Sequence, residues 1–443
     1  MMNVFVIALM SILSPLASSM FTPGIGQIAE CLETSEGMVI GATTGYVVLL
    51  GAGPLILAPL SETFGRKPVY MWCFTIFTLL QVPAALAPNV GTLIAARTFS
   101  GFFGSVGIAN GGGALSDMFA PSERAGVFGW YLLGPLLGPT LGPLFGGLVV
   151  EKLSWRWVFW ILTIVCSVNT LLGFLFLRES YAPVLLAKRC DEMAQKYDQP
   201  RSRYTFPNED TRPLKQKLVT AIQRPTKILA TQPIVQVMAL YQAVIFSTMY
   251  TLYTNMQEIY MGEPYKMSTT QVGVLYVAPG VGFLLAVWFL VPQIDKTFNA
   301  MASRTPDGQG KPEFRLPLAN VGAVLLPISM FWFAWTIEYK THWAASISST
   351  VLWGFGQVAI FNTVQNYYID AFATYAASAI AAGSVVRSLF GGIVPAFTPG
   401  LFERVGYGWG WSVFGFFCVL LAPAPILFQR YGERIRKRFE ITL

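Results

Sequence analysis

Long apolar stretches alternate with short polar loops along this chain. Twelve stretches contain about the 20 mostly apolar residues that a membrane-crossing helix requires: 4–23, 38–60, 69–87, 91–116, 125–149, 157–177, 234–256, 270–293, 316–337, 343–368, 376–400 and 409–428. The pattern therefore predicts an all-α integral membrane protein with twelve transmembrane helices, numbered as spans 1–12.

One long polar stretch interrupts this pattern after the sixth span. Residues 178–232 mix Lys, Arg, Asp, Glu, Gln and Pro, which is typical of a solvated linker. We expect three parts: an N-terminal six-helix bundle (1–177), a cytoplasmic linker with one possible helix (178–232), and a C-terminal six-helix bundle with a short basic tail (233–443).

The two sets of six spans carry similar motifs at equivalent places. The pattern L-x-P-x-x-E/D ends span 2 at residues 57–62 and span 8 at residues 290–295. An acidic–basic pair followed by W-x-W precedes span 6 at residues 151–157 and span 12 at residues 403–411. These echoes predict two parallel six-helix repeats, a plan in which a substrate site lies between the halves near the membrane midplane.

Charge distribution predicts the orientation in the membrane. With the termini on the cytoplasmic side, 23 of the 30 Lys and Arg residues lie on that side and five on the other. Cytoplasmic loops normally hold this excess, so both termini are expected in the cytoplasm. The net charge of +7 is then explained by topology and not by a nucleic-acid partner. The remaining two basic residues, Arg97 and Arg387, fall inside spans.

Composition also excludes several classes of protein. Charged residues make up 12% of the chain, about half the share in soluble domains. Five widely spaced cysteines and a single histidine, His342, fit neither a disulfide framework nor a metal site. A membrane enzyme built around His342 stays open only as a remote alternative.

Arg97 is the most informative charged residue. Burying a guanidinium in a membrane is costly, so such a side chain normally faces the bundle interior and serves a function. An arginine that reaches the headgroups is the structural alternative. Asp117, at the cytoplasmic edge of the same span, is either a partner or a turn cap.

The loop after span 2 places a carboxylate beside two cations. Its charged residues are Glu62, Arg66 and Lys67, with Gly65 between them. Ion pairs that form in one conformation and break in another can act as a gate. The alternative is a turn that only orients the protein.

Glycine and proline recur along span 5. Gly138, Gly142 and Gly146 are four residues apart, with Pro143 and Gly147 beside them. Such spacing predicts a smooth face for close helix contact and a bent helix axis. By itself this pattern indicates a kinked packing helix.

These motifs resemble a fungal branch of the major facilitator superfamily, the twelve-span drug:proton antiporters. Residues 59–68 are similar to the family's loop 2–3 signature, 93–104 to its span-4 motif around a buried Arg, and 138–147 to its antiporter motif. Residues 179–186, 311–317 and 367–370 add further similarity over nearly the whole chain. Ser100 stands where the family often has Gln.

The resemblance implies a monomeric efflux pump that exports drugs, polyamines or secondary metabolites. The plasma membrane is the expected location, with vacuolar or vesicular membranes as the alternatives. The proton gradient would supply the energy, with no cofactor and no metal. Since the spans hold no mid-membrane carboxylate, Arg97 backed by Asp117 is the candidate for proton coupling. A nutrient importer or facilitator on the same fold remains the alternative.

Polar and aromatic side chains inside the spans are the candidates for the substrate cavity. They are Asn110, Tyr241, Gln242, Tyr250, Asn362, Gln365 and Asn366. Apolar cavities with a few polar groups suit drug-like ligands. The same residue types also serve as hydrogen-bond partners between helices, which is the alternative for each of them.

Overall fold

The computed structural model describes residues 2–109, 111–118, 121–198, 200, 204, 212–305, 310–372 and 375–439. Spans 1–6 are Met2–Ser19 with Ile25–Cys31, Glu36–Ala52 with Pro54–Phe64, Arg66–Ala85, Val90–Gly104 with Val106–Ala109 and Gly111–Met118, Pro121–Lys152, and Trp155–Phe176. Spans 7–10 are Pro233–Met261, Thr269–Leu275 with Val277–Phe289 and Val291–Ala302, Ala319–Glu338, and Trp343–Ala371. Spans 11 and 12 form Ala376–Leu421, divided at Gly406, whose φ is 77°. A last helix covers Ala424–Arg438.

Several spans are broken rather than straight. Span 2 bends by 45° between Ala52 and Pro54, where proline cannot donate the backbone hydrogen bond that would continue the helix. In the described residues, eight helices are long and apolar enough to span a membrane, or nine with this bent pair. Span 4 in its short helices, span 5, and the division at Gly406 complete the twelve.

The linker holds two helices, Ala182–Lys196 and Leu214–Thr231, where the sequence suggested one. The second is amphipathic and packs against both span 2 and span 11. Its apolar face therefore gains burial from tertiary contacts, which composition alone does not reveal.

The two halves use the same helix pairings. Span 1 packs on span 5, span 2 on span 4, and span 3 on spans 4 and 6; spans 7 and 11, 8 and 10, and 9 with 10 and 12 pair in the same way. The predicted twelve-span fold of two parallel repeats is confirmed. The halves meet through spans 1 and 7, 2 and 11, and 5 and 8.

Apolar side chains cover the outside of the molecule, and many small polar ones lie inside. Trp72 on span 3, Leu175 on span 6 and Leu420 on span 12 are about 70% exposed, at 72%, 67% and 73%. Ser14 and Ser18 of span 1, by contrast, are fully buried. An apolar exterior of this kind suits a lipid environment.

The two ends of the molecule differ in the charged residues that they carry. The basic end carries Arg66, Arg315 and the helix Ala424–Arg438. The far end carries Lys152 and His342.

Candidate functional site

Arg97 lies completely buried in the first half. Its Nη2 donates a hydrogen bond to the Ser18 carbonyl of span 1 at 3.3 Å. Its guanidinium carbon lies 4.2 Å from the ring centroid of Tyr46 and 4.5 Å from that of Phe21. Cation–π contacts of this kind offset part of the cost of removing the charge from water.

The charge of Arg97 is nevertheless incompletely compensated. Its Nε and Nη1 have no hydrogen-bond partner among the described residues, and no carboxylate forms an ion pair with it there. A buried cation without a paired anion is expensive to maintain. The arrangement therefore points to a function rather than to packing.

A hydrogen-bonded chain joins Arg97 to the second half. The Ser18 hydroxyl, on the residue whose carbonyl binds Arg97, lies 3.1 Å from the Tyr250 hydroxyl of span 7. Tyr250 in turn packs edge-on against Phe246, with ring centroids 5.2 Å apart. A movement between spans 1 and 7 must therefore alter the surroundings of Arg97.

Arg387 of span 11 is the counterpart that sequence reasoning left without a role. Its guanidinium carbon lies 5.0 Å from the ring centroid of Phe246 and 5.4 Å from that of Phe361. Nη2 donates to the Ser384 hydroxyl at 3.0 Å, and Nε has no partner in the described part of the chain. The sequence did contain a signal for Arg387, because an ionisable residue within a transmembrane span normally has a function.

The predicted cavity residues separate into groups. Tyr250 contacts Ser18 and Phe246, and Gln242 lies beside Gly383 of span 11, so both belong to the cluster of side chains between the two arginines. Gln242 Nε2 has no hydrogen-bond partner among the described residues. Tyr241 is fully buried, and its hydroxyl has no hydrogen-bond partner among the described residues.

Three further candidates lie along span 10. Asn362, Gln365 and Asn366 are all partly buried. Asn366 Nδ2 donates to the Asn362 carbonyl at 2.9 Å, which is a contact within the helix. Asn110 lies outside the described residues.

Sequence reasoning also missed Gln357 on the same span. Gln357 Nε2 contacts Met249 Sδ at 3.7 Å, and its Oε1 has no partner among the described atoms. A buried amide with an unused acceptor is available to a polar ligand group.

Arg66 organises the basic end of the first half. Its Nε donates to Asp117 at 3.1 Å and its Nη1 donates to the Ser61 hydroxyl at 2.6 Å. Glu62 lies 3.9 Å away and is more than half exposed, so its contribution is small. The contacts tie spans 2, 3 and 4 together.

The turn at residues 65–67 is held by a residue outside the predicted loop. The Glu179 carboxylate accepts hydrogen bonds from the backbone amides of Arg66 and Lys67, at 2.9 and 3.0 Å. An anion here satisfies the free amides at the start of span 3. Gly65 has a φ of 102°, and a Cβ on it would lie 2.5 Å from Glu179 Oε2. Glycine is therefore required at this turn.

The second half repeats this network. Arg315 donates to Asp370 at 2.7 Å and to Asp295, while its guanidinium carbon lies 4.1 Å from the Phe298 ring centroid. Asp295 and Asp370 end spans 8 and 10, as Glu62 and Asp117 end spans 2 and 4. Nearby, a side-chain hydrogen bond with Glu433 raises the pKa of Lys311 above its usual value.

The structure does not bring Asp117 to Arg97. The two residues stand 20 positions apart on span 4, about 30 Å of helix. Asp117 pairs instead with Arg66. The expected Arg97–Asp117 partnership is thus replaced by two separate sites, one in the interior and one at the basic end.

The glycines of span 5 let its backbone approach span 1. A Cβ on Gly138, Gly142 or Gly146 would lie 2.9, 2.8 or 1.9 Å from the carbonyl oxygen of Ile12, Leu16 or Met20, respectively. Contacts this close have room only for glycine. The predicted smooth packing face is present.

The same segment also reaches the second half. A Cβ on Gly147 would lie 2.8 Å from the Thr269 carbonyl of span 8, and one on Gly273 would lie 2.9 Å from the Pro143 carbonyl. At the far end, Glu151 accepts a hydrogen bond from the Thr270 amide at 2.6 Å. Span 5 therefore contacts both its own half and the opposite one.

Substitution of Gly146 by valine should prevent normal packing of spans 1 and 5. The added side chain would overlap the Met20 carbonyl, and overpacking typically costs about 1–3 kcal/mol or more. We expect less folded protein and a lower unfolding temperature, measured by fluorescence-detected size exclusion and thermal unfolding. Gly400→Val is the matched control, since no atom lies within 4 Å of a Cβ there. Equal behaviour of the two variants would contradict the packing role.

A separate cavity of about 410 Å³ lies at the basic end. It is bounded by span 2, both linker helices and the start of span 11, and its lining includes Glu62, Tyr181, Arg224 and Ser378. Neither Arg97 nor Arg387 lines it, so it is distinct from the interior cluster.

Comparison with known sequences agrees with this architecture. A family model described as the Major Facilitator Superfamily matches residues 7–395. The MFS-type transporter tndD of Aspergillus flavipes is 39% identical over 99% of this chain and 82% of that protein. The efflux pump radE of Floropilus chiversii is 35% identical, covering 100% and 82%, and the MFS-type efflux pump MFS2 of Trichophyton rubrum is 36% identical, covering 98% and 72%.

Solved structures share the fold at low sequence identity. The partially occluded inward-open xylose transporter XylE from E. coli has a TM-score of 0.70 and 14% identity, over 97% of both chains. An inward-facing bacterial homologue of the human lysosomal transporter Spinster has a TM-score of 0.64 and 16% identity, over 99% and 98%. With the family match and the fungal relatives, these findings show that the chain belongs to the Major Facilitator Superfamily, as a multi-pass membrane transporter and not an enzyme.

Proposed function

We propose that this transporter is a proton-coupled efflux pump that exports small amphipathic molecules by alternating access. The observation that carries the proposal is the uncompensated Arg97 charge beside the contact between the halves. Its hydrogen-bond acceptor, Ser18, also contacts Tyr250 across that boundary. Rocking of the halves would change the free-energy cost of burying this charge. Such a link between the conformation and a buried charge is the coupling that an active transporter requires.

The direction of transport is supported by the named relatives. Two of them, at 35% and 36% identity over nearly the whole chain, are called efflux pumps. The cluster between Arg97 and Arg387 combines aromatic faces with a few polar groups, which suits amphipathic molecules. We propose that both termini lie in the cytoplasm, because the basic end carries most of the Lys and Arg. A monomer in the plasma membrane is the further part of this proposal.

The networks around Arg66 and Arg315 are proposed to hold each half rigid at the basic end. Their ion pairs join spans 2, 3 and 4 in one half and spans 8 and 10 in the other. Rigid halves are needed if a small change at the centre is to become a rocking movement. Gating would then depend on both networks.

Uptake into sealed proteoliposomes tests the proposal. Labelled drugs, polyamines and sugars are offered with and without an imposed pH gradient, and a protonophore serves as the control. We expect accumulation that requires opposing proton flow. Equilibration that ignores pH would indicate a facilitator, and accumulation with protons moving in the same direction would indicate an importer; either result would refute the proposed antiport.

A further inference from the structure

Among the described residues, the interior of the spans carries positive charge without an internal anion. Arg97 and Arg387 lie inside spans 4 and 11. The acidic side chains of the described spans stand near helix ends, as Asp117 and Asp370 do.

Tyr250 lies between the two arginines. Its hydroxyl is 3.1 Å from that of Ser18, whose carbonyl accepts from Arg97. Its ring packs on Phe246, over which Arg387 lies. A region of low dielectric with two cations attracts anions and repels cations.

Arg387 presents its guanidinium in a form suited to a ligand. Its guanidinium carbon lies over the rings of Phe246 and Phe361, 5.0 and 5.4 Å from their centroids. Nη2 donates a hydrogen bond to the Ser384 hydroxyl at 3.0 Å. Nε is buried with no acceptor in the described residues. A planar fork of donors with a free position matches a carboxylate or a similar planar anion.

One face of span 7 extends this site. Gln242, Phe246 and Tyr250 recur every four residues, so they lie on the same side of the helix. Gln242 packs beside Gly383, one turn before Arg387 on span 11, and its Nε2 has no partner. Aromatic surface and unused N–H donors thus lie side by side.

We infer that Arg387 binds the anionic group of an aromatic substrate, such as an aromatic carboxylic acid or acidic enol. The aromatic part would lie against Phe246 and Phe361, and the anion would compensate the charge that the protein leaves unpaired. This rests on the proposed transport of small amphipathic molecules and narrows their class. Export of an anion from an inside-negative cell is also favoured by the membrane potential, so a mid-membrane carboxylate is not required for it.

Equilibrium binding to the protein in lipid nanodiscs tests the inference without any gradient. Three probes share one ring system: 2-naphthoate, its methyl ester and 2-naphthylmethylamine. We expect the wild type to bind the carboxylate about 10- to 100-fold more tightly than the ester, as for a charge-assisted hydrogen bond in a buried site. The amine should bind most weakly. Arg387→Gln should bring the carboxylate and the ester to similar affinities.

Two further variants make the test specific. Arg387→Lys keeps the charge without the planar fork, so it should retain only part of the preference. Arg404→Gln removes an exposed arginine at the other end of the same span and should behave as wild type.

Three results would overturn the inference: similar wild-type affinities for carboxylate and ester, tighter binding of the amine, or no saturable binding of the carboxylate. An unchanged preference in Arg387→Gln would equally overturn it, by assigning the cation to packing. The binding experiment applies no gradient, so Arg387-dependent binding can persist even if the proposed antiport fails. Conversely, proton-driven export of the amine would refute this inference and leave the proposed antiport intact.

Discussion

Replacement of Arg97 by glutamine should abolish pH-driven transport while leaving the protein folded. Two effects of this substitution on the free energy of unfolding oppose each other. The variant loses the cation–π contacts with Phe21 and Tyr46, which lowers stability, but it no longer buries an unpaired charge, which raises stability. We therefore expect little change in unfolding temperature. Transport against a gradient should fall about a hundredfold, which corresponds to losing a coupling free energy of about 3 kcal/mol between the buried charge and the rocking of the halves.

The measurement is proteoliposome uptake under an imposed pH gradient, with thermal unfolding of the same preparations. Arg97→Lys keeps a cation but loses the reach to the Ser18 carbonyl, so an intermediate rate is expected. Arg404→Gln is the matched control for removing an exposed arginine. Wild-type accumulation in Arg97→Gln would rule out a coupling role for this residue.

Features fixed by local pattern were predictable from the sequence. The twelve spans follow from apolar length, and the two-repeat fold follows from the echoed ends of spans 2 and 8. The glycine face of span 5 was also predictable, because four-residue spacing fixes one side of a helix. For the spans and the glycine face, the decisive information lies within about 20 residues; for the repeat, it lies in two short motifs that resemble each other.

Features that depend on helix rotation and packing were not predictable. Asp117 meets Arg66 because spans 2, 3 and 4 end at the same level, which hydropathy does not specify. Glu179 reaches the start of span 3 from 113 positions away. The sequence does not distinguish Ser18 from the other serines near it. Its hydrogen bond with Tyr250 forms because span 7 packs close to span 1 in the fold.

Substitution of Arg66 by alanine should both destabilise the first half and slow transport. Asp117 would lose its partner while only 20% of its side chain is exposed, and the Ser61 hydroxyl would lose its donor. We expect a loss of about 2 kcal/mol, as for removal of a partly buried charged hydrogen bond. By the same reasoning Arg315→Ala should act on the second half, since its partners occupy equivalent places.

A charge exchange separates this pairing from a simple need for positive charge. Arg66→Asp combined with Asp117→Arg should recover part of the stability and transport that either single variant loses, because the ion pair is restored with reversed sense. Lys266→Ala, which removes an exposed pair with Glu263, is the control and should change stability by less than about 1 kcal/mol. If the double variant is no better than the single ones, the Arg66–Asp117 contact is not what holds spans 2, 3 and 4 together, and the orientation of Arg66 toward Ser61 becomes the feature on which the half depends.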